Sequence, residues 1–113
     1  MLNTDYFNEI PAAVTVCDTD GIILYMNQKS QSTFVKDGGA ALIGRSLLDC
    51  HPGASKGKLK ALLVSQQSNS YTIEKNGVHK MIQQMPWFEN GEYKGLIEFS
   101  FIIPAEMPHF IRG

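Results

Sequence analysis

The apolar positions of this chain change period twice. Residues 13–17, Ala-Val-Thr-Val-Cys, and residues 22–26, Ile-Ile-Leu-Tyr-Met, are short apolar runs rich in β-branched or aromatic residues, the composition that favours strands. Between them Asp18-Thr19-Asp20-Gly21 offers carboxylates that bond nearby backbone N–H groups, then a glycine free to take positive φ. The two runs are therefore expected to form a hairpin. Asn27 follows directly, where a helix must begin, and Asn is among the best N-caps. From there the pattern turns helical. Residues 27–34 fit a short helix, 35–39 a loop, 40–43 a single turn stopped by Gly44, and 45–52 an irregular stretch. Ser55 is expected to cap a longer helix to about Gln67, in which Leu59, Leu62, Leu63 and Gln66 fall at i, i+3, i+4 and i+7.

The last third returns to strand, over residues 71–75, 78–88 and 93–103. Asn76-Gly77 and Asn90-Gly91 separate the runs. Asn-Gly is the strongest short hairpin signal, because a type I′ turn needs positive φ at both central residues. The final run alternates Ile97, Glu98, Phe99, Ser100, Phe101, so one face is apolar and the other partly wet. Pro104 stops it. Residues 3–9 read as a short helix capped by Asn3 or Thr4, with Tyr6, Phe7 and Ile10 as its stripe and Pro11 at its end. Such a helix is not stable alone and must dock on its own sheet or on a second subunit. The tail carries Met107, Phe110 and Ile111, too apolar for a solvated end. The chain thus divides into an N-terminal helical cap (1–12), one domain (13–103) and a tail (104–113). Hairpin, helical insertion and three-strand meander together predict an α+β fold, one five-stranded antiparallel sheet with helices over one face.

Composition narrows the function classes. At 113 residues there is room for one domain. A net charge of -1 gives no electrostatic case for nucleic acid or an acidic membrane, and no aromatic-basic patch is present. Lys56, Lys58 and Lys60 accordingly read as a solvated helix face and not as a phosphate site. No apolar run approaches the roughly 18 residues of a membrane span, and the N-terminus lacks a signal-peptide pattern. Cys17 and Cys50 are too few and too far apart for a disulfide framework or zinc site. They read as reduced thiols of a cytoplasmic protein.

The motif D-x-D-G-x-I-x-Y-x-N, from Asp18 to Asn27, resembles the start of a PAS domain. So do L-I-G-R-S-L-L-D-C-H-P from Leu42 to Pro52 and N-G-E-Y-K-G from Asn90 to Gly95. The resemblance spans about residues 13–103. It implies sheet order 2-1-5-4-3, with the helices inserted between strands 2 and 3 closing a pocket on the sheet's inner face. It also implies a non-catalytic module of signal transduction that binds heme, flavin, a small metabolite or nothing, and commonly forms a homodimer. Most such domains are joined to a kinase, a cyclase or a DNA-binding domain that regulates transcription. Here one domain uses the whole chain, so the expectation is a stand-alone protein or a piece of a longer sensor with a separate effector partner.

Candidate chemistry follows from these motifs. The flavin-photochemical relatives carry G-x-N-C-R-F-L-Q. Leu47 stands at the cysteine position here and Cys50 comes three residues late, so flavin is not expected. A heme needs an imidazole aimed into an apolar pocket. The relatives' long helix supplies it, but residues 55–67 hold no histidine, and His51 just before them is the candidate axial ligand. The competing role for His51 is a hydrogen bond within its turn. His79 lies beside a hairpin and His109 in the tail. Asp49, Cys50 and His51 are adjacent, as in a nucleophile with its base. No oxyanion or phosphate loop accompanies them, and no enzyme is expected.

A pocket on the inner face would take Ile97, Phe99 and Phe101 from the last strand, as its apolar face. Ile23 and Tyr25 share a face of the second strand, and the long helix offers Leu59, Leu62 and Leu63. On the fourth strand Met81, Gln83, Met85 and Trp87 share one face, Ile82, Gln84 and Pro86 the other. A buried amide is unfavourable by roughly 1–3 kcal/mol unless bonded. The inward one of Gln83 and Gln84 is therefore expected to anchor a small, mainly apolar ligand with the Tyr25 hydroxyl. The alternative is that Met and Phe side chains fill the space, leaving an interaction module. The apolar N-terminal segment and tail predict a homodimer in which one of them covers the sheet's outer face.

Overall fold

Five strands and two α-helices form as the change of period predicts. A computed structural model of the protein describes residues 5–50 and 53–113, apart from the Cys50 side chain. The order is β1 (Ala13–Asp18), β2 (Ile23–Met26), α1 (Gln28–Thr33), 3-10 turns at Val35–Asp37, Gly39–Leu42 and Leu47–Cys50, then α2 (Ala54–Ser65), β3 (Asn69–Lys75), β4 (Val78–Glu89) and β5 (Glu92–Ile102). The strands make one sheet of order β2-β1-β5-β4-β3, and every pair is antiparallel. The helices lie in the connection between β2 and β3. Among the described residues, no helix is long and apolar enough to cross a membrane.

The turn chemistry holds. Asp18 Oδ1 accepts from the backbone N–H of Asp20 and of Ile22, both at 2.9 Å. Asn76 and Gly77 take φ of 53° and 78°, and Asn90 and Gly91 take 53° and 79°, the two consecutive positive values of a type I′ turn.

Asn27 is the junction of sheet and helices. It is fully buried and caps α1, its Oδ1 accepting from Ser30 N at 3.0 Å and from Val14 N at 2.9 Å. Its Nδ2 donates to the carbonyls of Phe7 and Ala12, both at 2.8 Å. One side chain thus ties the start of α1 to β1 and to the N-terminal segment.

That segment differs from the expected helix. Residues 5–9 form turns, and the candidate caps Asn3 and Thr4 lie outside the described residues. So few residues before Pro11 cannot recover the nucleation penalty of a helix. The backbone instead bonds to the domain, with Asn8 O accepting from Gln28 N at 3.0 Å. The long helix also starts differently. Gly53 is its N-cap and makes no side-chain cap bond, while Ser55 lies inside the helix. Gln66, at φ 57°, closes it in the left-handed conformation.

Two apolar clusters fix the helices to the sheet. Leu59 and Leu63 of α2 pack with Cys17 of β1 and Leu96 of β5. Leu42 packs with Ile23 and Met26 of β2, and Leu47 packs against both groups.

Candidate functional site

The inserted helices do not seal the sheet. Between them and its inner face is a cavity of about 350 Å³, within the range of small-molecule sites. Met26, Phe34, Leu42, Leu47, Leu59 and Leu96 supply apolar wall.

The floor is more polar than the sequence predicts. Leu96, Glu98 and Ser100 line the cavity, so Ile97, Phe99 and Phe101 stand on the opposite face. This reverses the expected orientation of β5. Its phase is set by Cys17 and Leu96, which pair across β1 and β5 and pack under Leu59 and Leu63. The wet residues are tolerated inside because they are bonded. Gln84 Nε2 donates to Glu98 Oε1 at 2.8 Å, and Gln84 Oε1 accepts from Asn69 Nδ2 at 2.9 Å. Thr15 is the partner of Glu98 on β1, and its Oγ1 shares a 2.6 Å hydrogen bond with Ser30 Oγ on α1. A polar row therefore crosses β3, β4, β5 and β1 and ends on the first helix. Phe99 and Phe101 stack outside with ring centroids 5.7 Å apart.

Of the predicted pocket residues, Ile23, Leu59 and Gln84 line the cavity. Leu63 lies in the core cluster beside it. Gln83 points outward, its Oε1 accepting from the Ser70 hydroxyl. Tyr25 does not share the face of Ile23. A bulge between Val16 and Cys17 pairs Cys17 with Ile23 but Val16 with Tyr25, and such a bulge reverses which side chains face inward. The Tyr25 hydroxyl donates to Asn8 Oδ1 instead. Sequence reasoning missed Glu98, Thr15 and Tyr71, all at the wall, since nothing in an alternating strand tells which face turns inward.

The electrostatics of the wall disfavour further negative charge. Burial pushes the Tyr71 hydroxyl above its ordinary range, and the nearby Glu98 charge adds to this. Burial likewise raises the Cys17 thiol. A backbone hydrogen bond from Leu96 opposes the rise, and the Asp18 and Glu98 charges reinforce it. A thiol held protonated is a poor nucleophile.

His51 lies outside the described residues, so the Asp49, Cys50, His51 grouping has no geometry to weigh. Among the described residues the cavity wall holds no histidine. His79 is paired at 3.2 Å with Glu74 on the exposed β3–β4 edge. The described residues contain no group of three or more metal-ligating side chains.

The PAS domain of BvgS from Bordetella pertussis superposes with TM-score 0.67 at 18% identity, over 88% of this chain and 82% of that one. VqmA bound to DPO gives 0.67 at 15% identity, over 88% of this chain and 55% of that one. The Aer2 receptor from Vibrio cholerae, a dual PAS-heme oxygen sensor, gives 0.62 at 14%, over 82% of this chain and 95% of that one. At such identities the likeness shows the fold. No curated protein matches the chain. The sequence profile of the PAS fold matches residues 7–100, and with that match over most of its length the chain belongs to the PAS fold family.

Proposed function

We propose that this PAS domain is a non-catalytic sensor whose signal is a small, mainly apolar molecule held in the cavity, with Gln84 as a polar anchor. The observation that carries the reading is the coincidence of an apolar-walled cavity of about 350 Å³ with a bonded polar row across its floor. A cavity filled by its own side chains would leave no such space. Heme, carried by one neighbour, is not part of this reading. Occupancy would shift the population of arrangements of the sheet and its inserted helices, a signal for an attached or separate effector. Thermal-shift screening against a panel of small metabolites tests it, with wild type beside Gln84→Leu and Gln83→Leu. Loss of one anchoring bond predicts weaker binding by about 5-fold to 100-fold in Gln84→Leu. Gln83→Leu, on the outer face, leaves affinity unchanged. If no compound stabilises the wild type, the domain is an interaction module.

A second reading, homodimer formation, rests on the outer face. Met81 and Phe101 are 37% and 42% exposed on the face of the stacked Phe99–Phe101 pair. A second copy of the same face is the proposed occupant, because a two-fold pair hides both patches at once. The N-terminal segment is bonded to its own domain through Asn27, which favours contact through the sheet face over contact through that segment. Phe101→Glu should move the sedimenting species to monomer. A wild type that sediments as monomer at high concentration defeats this reading.

A further inference from the structure

We infer that the polar end of the ligand is an uncharged carbonyl oxygen, recognised over Ile82 by Lys80 and Tyr71. This rests on the ligand-sensing reading above and names the ligand's chemistry. Ile82 is buried in the middle of the cavity floor. Its cross-strand partners are Tyr71 on β3 and Ser100 on β5. Lys80 and Gln84 lie two residues to either side of it on β4, on the same face. All five residues line the cavity, so four polar side chains ring one apolar residue. Directly paired residues have Cβ atoms about 5 Å apart and diagonal neighbours about 7–8 Å, a ring that one small molecule can cover. What the ring leaves open is donors. Among the described residues, the side chains of Lys80, Tyr71 and Ser100 make no hydrogen bond or ion pair. Gln84 Oε1 is taken by Asn69 and one Nε2 hydrogen by Glu98, which leaves its second amide hydrogen. An ammonium and an amide N–H only donate, and a hydroxyl donates as readily as it accepts. An acceptor oxygen is therefore the group that all four can meet. Lys80 and Tyr71 have the longest reach of the four, and burial keeps the Tyr71 hydroxyl in its protonated, donating form. Asp37 lines the same cavity and offsets the Lys80 charge, so an uncharged carbonyl suits the site better than a carboxylate. The apolar remainder of the molecule then meets Leu42, Leu47 and Leu59.

Acetophenone and ethylbenzene share one carbon skeleton and differ in the carbonyl, and both are small beside the cavity. Their binding to the full chain is measured by calorimetry in wild type, Lys80→Met and Tyr71→Phe, substitutions that keep the apolar bulk and remove the donor. Methyl NMR locates each probe, with Met26 on the cavity wall as the reporter and Met81 on the outer face as the control. In each variant the affinity for acetophenone relative to ethylbenzene should fall about fivefold or more, the loss of one hydrogen bond. Benzoate should bind wild type more weakly than acetophenone. A relative affinity unchanged in either variant overturns the inference while leaving the cavity reading intact. So does tighter binding of benzoate, or movement of Met26 by ethylbenzene alone. Should one variant not fold, the other decides. If no probe moves Met26 at millimolar concentration, the cavity reading fails and this inference with it.

Discussion

Replacing Asn27 by alanine should remove much of the stability of the whole domain, although the residue is exchanged on a short helix. Its side chain makes four hydrogen bonds, to Val14 N, Ser30 N, Phe7 O and Ala12 O. Truncation to alanine orphans all four partners in a site where Asn27 itself is fully buried. Leaving a buried polar group unsatisfied costs about 1–3 kcal/mol, and some of these groups will relax onto water or a neighbour. A net loss of about 4 kcal/mol is therefore expected, against the roughly 5–15 kcal/mol that holds a domain together. At about 4–8 °C per kcal/mol, Tm should fall by roughly 15–30 °C. Urea titration followed by circular dichroism and Trp87 fluorescence measures it, with the m-value unchanged. Two further variants separate the roles. Asn27→Ser keeps a helix cap but cannot span to the carbonyls, and Asn27→Asp keeps both accepted bonds but faces Phe7 O and Ala12 O with an acceptor. Both should lose about 2 kcal/mol or more, since they leave buried carbonyls unmatched. A loss of only about 1 kcal/mol in Asn27→Ala, the value of an ordinary cap, would refute the junction role.

Gly95→Ala should prevent folding or lose about 3 kcal/mol or more, because a Cβ there would stand 2.0 Å from Cys17 O in a backbone at φ 144°. A Tm within a few degrees of wild type would contradict that geometry. Stability should also fall in alkali. The Cys17 thiol, with an ordinary value of 9.0, is raised in the fold chiefly by burial. Above about pH 9 the unfolded chain therefore loses its proton first, and stability present below that pH is lost as pH rises towards the folded value. Tyr71 and Tyr93, raised from 10.0 mainly by burial, act in the same direction at higher pH. Urea midpoints at pH 7.5 and pH 10 should fall less in Cys17→Ala than in wild type, and equal slopes would exclude the thiol as a cause.

The elements were legible where local chemistry decides them. Asp18 and the two Asn-Gly pairs dictate turns through their own side chains and φ preferences, and Asn27 caps a helix whatever lies around it. What faces the cavity was not legible in the same way. Period-two reading of β5 separates Ile97, Phe99 and Phe101 from Glu98 and Ser100, but it labels the two faces without saying which turns inward. The rule that apolar means inside then chose wrongly, because this sheet is not simply apolar within and wet without. Glu98 is accommodated through Gln84, and Gln84 through Asn69, partners that lie 14 and 15 residues away in sequence. Tyr25 failed for a related reason. One extra residue at the bulge opposite Val16 and Cys17 separates it from Ile23, and no residue type in that run announces a bulge. The N-terminal helix does not form because the few residues before Pro11 cannot repay its nucleation, and the docking that such a segment needs is met by turns whose backbone bonds to Asn27 and Gln28.

The two faces of the sheet are joined at Cys17 and Trp87, and this bears on how an occupied cavity could be felt outside. Cys17 has its side chain at the cavity wall, while its carbonyl accepts from Trp87 Nε1 at 3.0 Å. The indole is able to reach across because its cross-strand partner is Gly95, where any side chain would collide with Cys17 O. Trp87 lies on the strand face of Gln83 and Met85, opposite the cavity-lining Ile82 and Gln84. A molecule that displaces the Cys17 side chain therefore strains a bond whose other end belongs to the outer face. Trp87 is the single tryptophan of the chain, so tryptophan emission reports the surroundings of this indole. A ligand that binds at the wall should change the emission in wild type. In Trp87→Phe, removal of the indole N–H loses about 1 kcal/mol of stability and should leave affinity nearly intact. If cavity binders shift Met26 but leave Trp87 emission untouched, the sheet does not carry the signal across at this point, and the inserted helices are the remaining route.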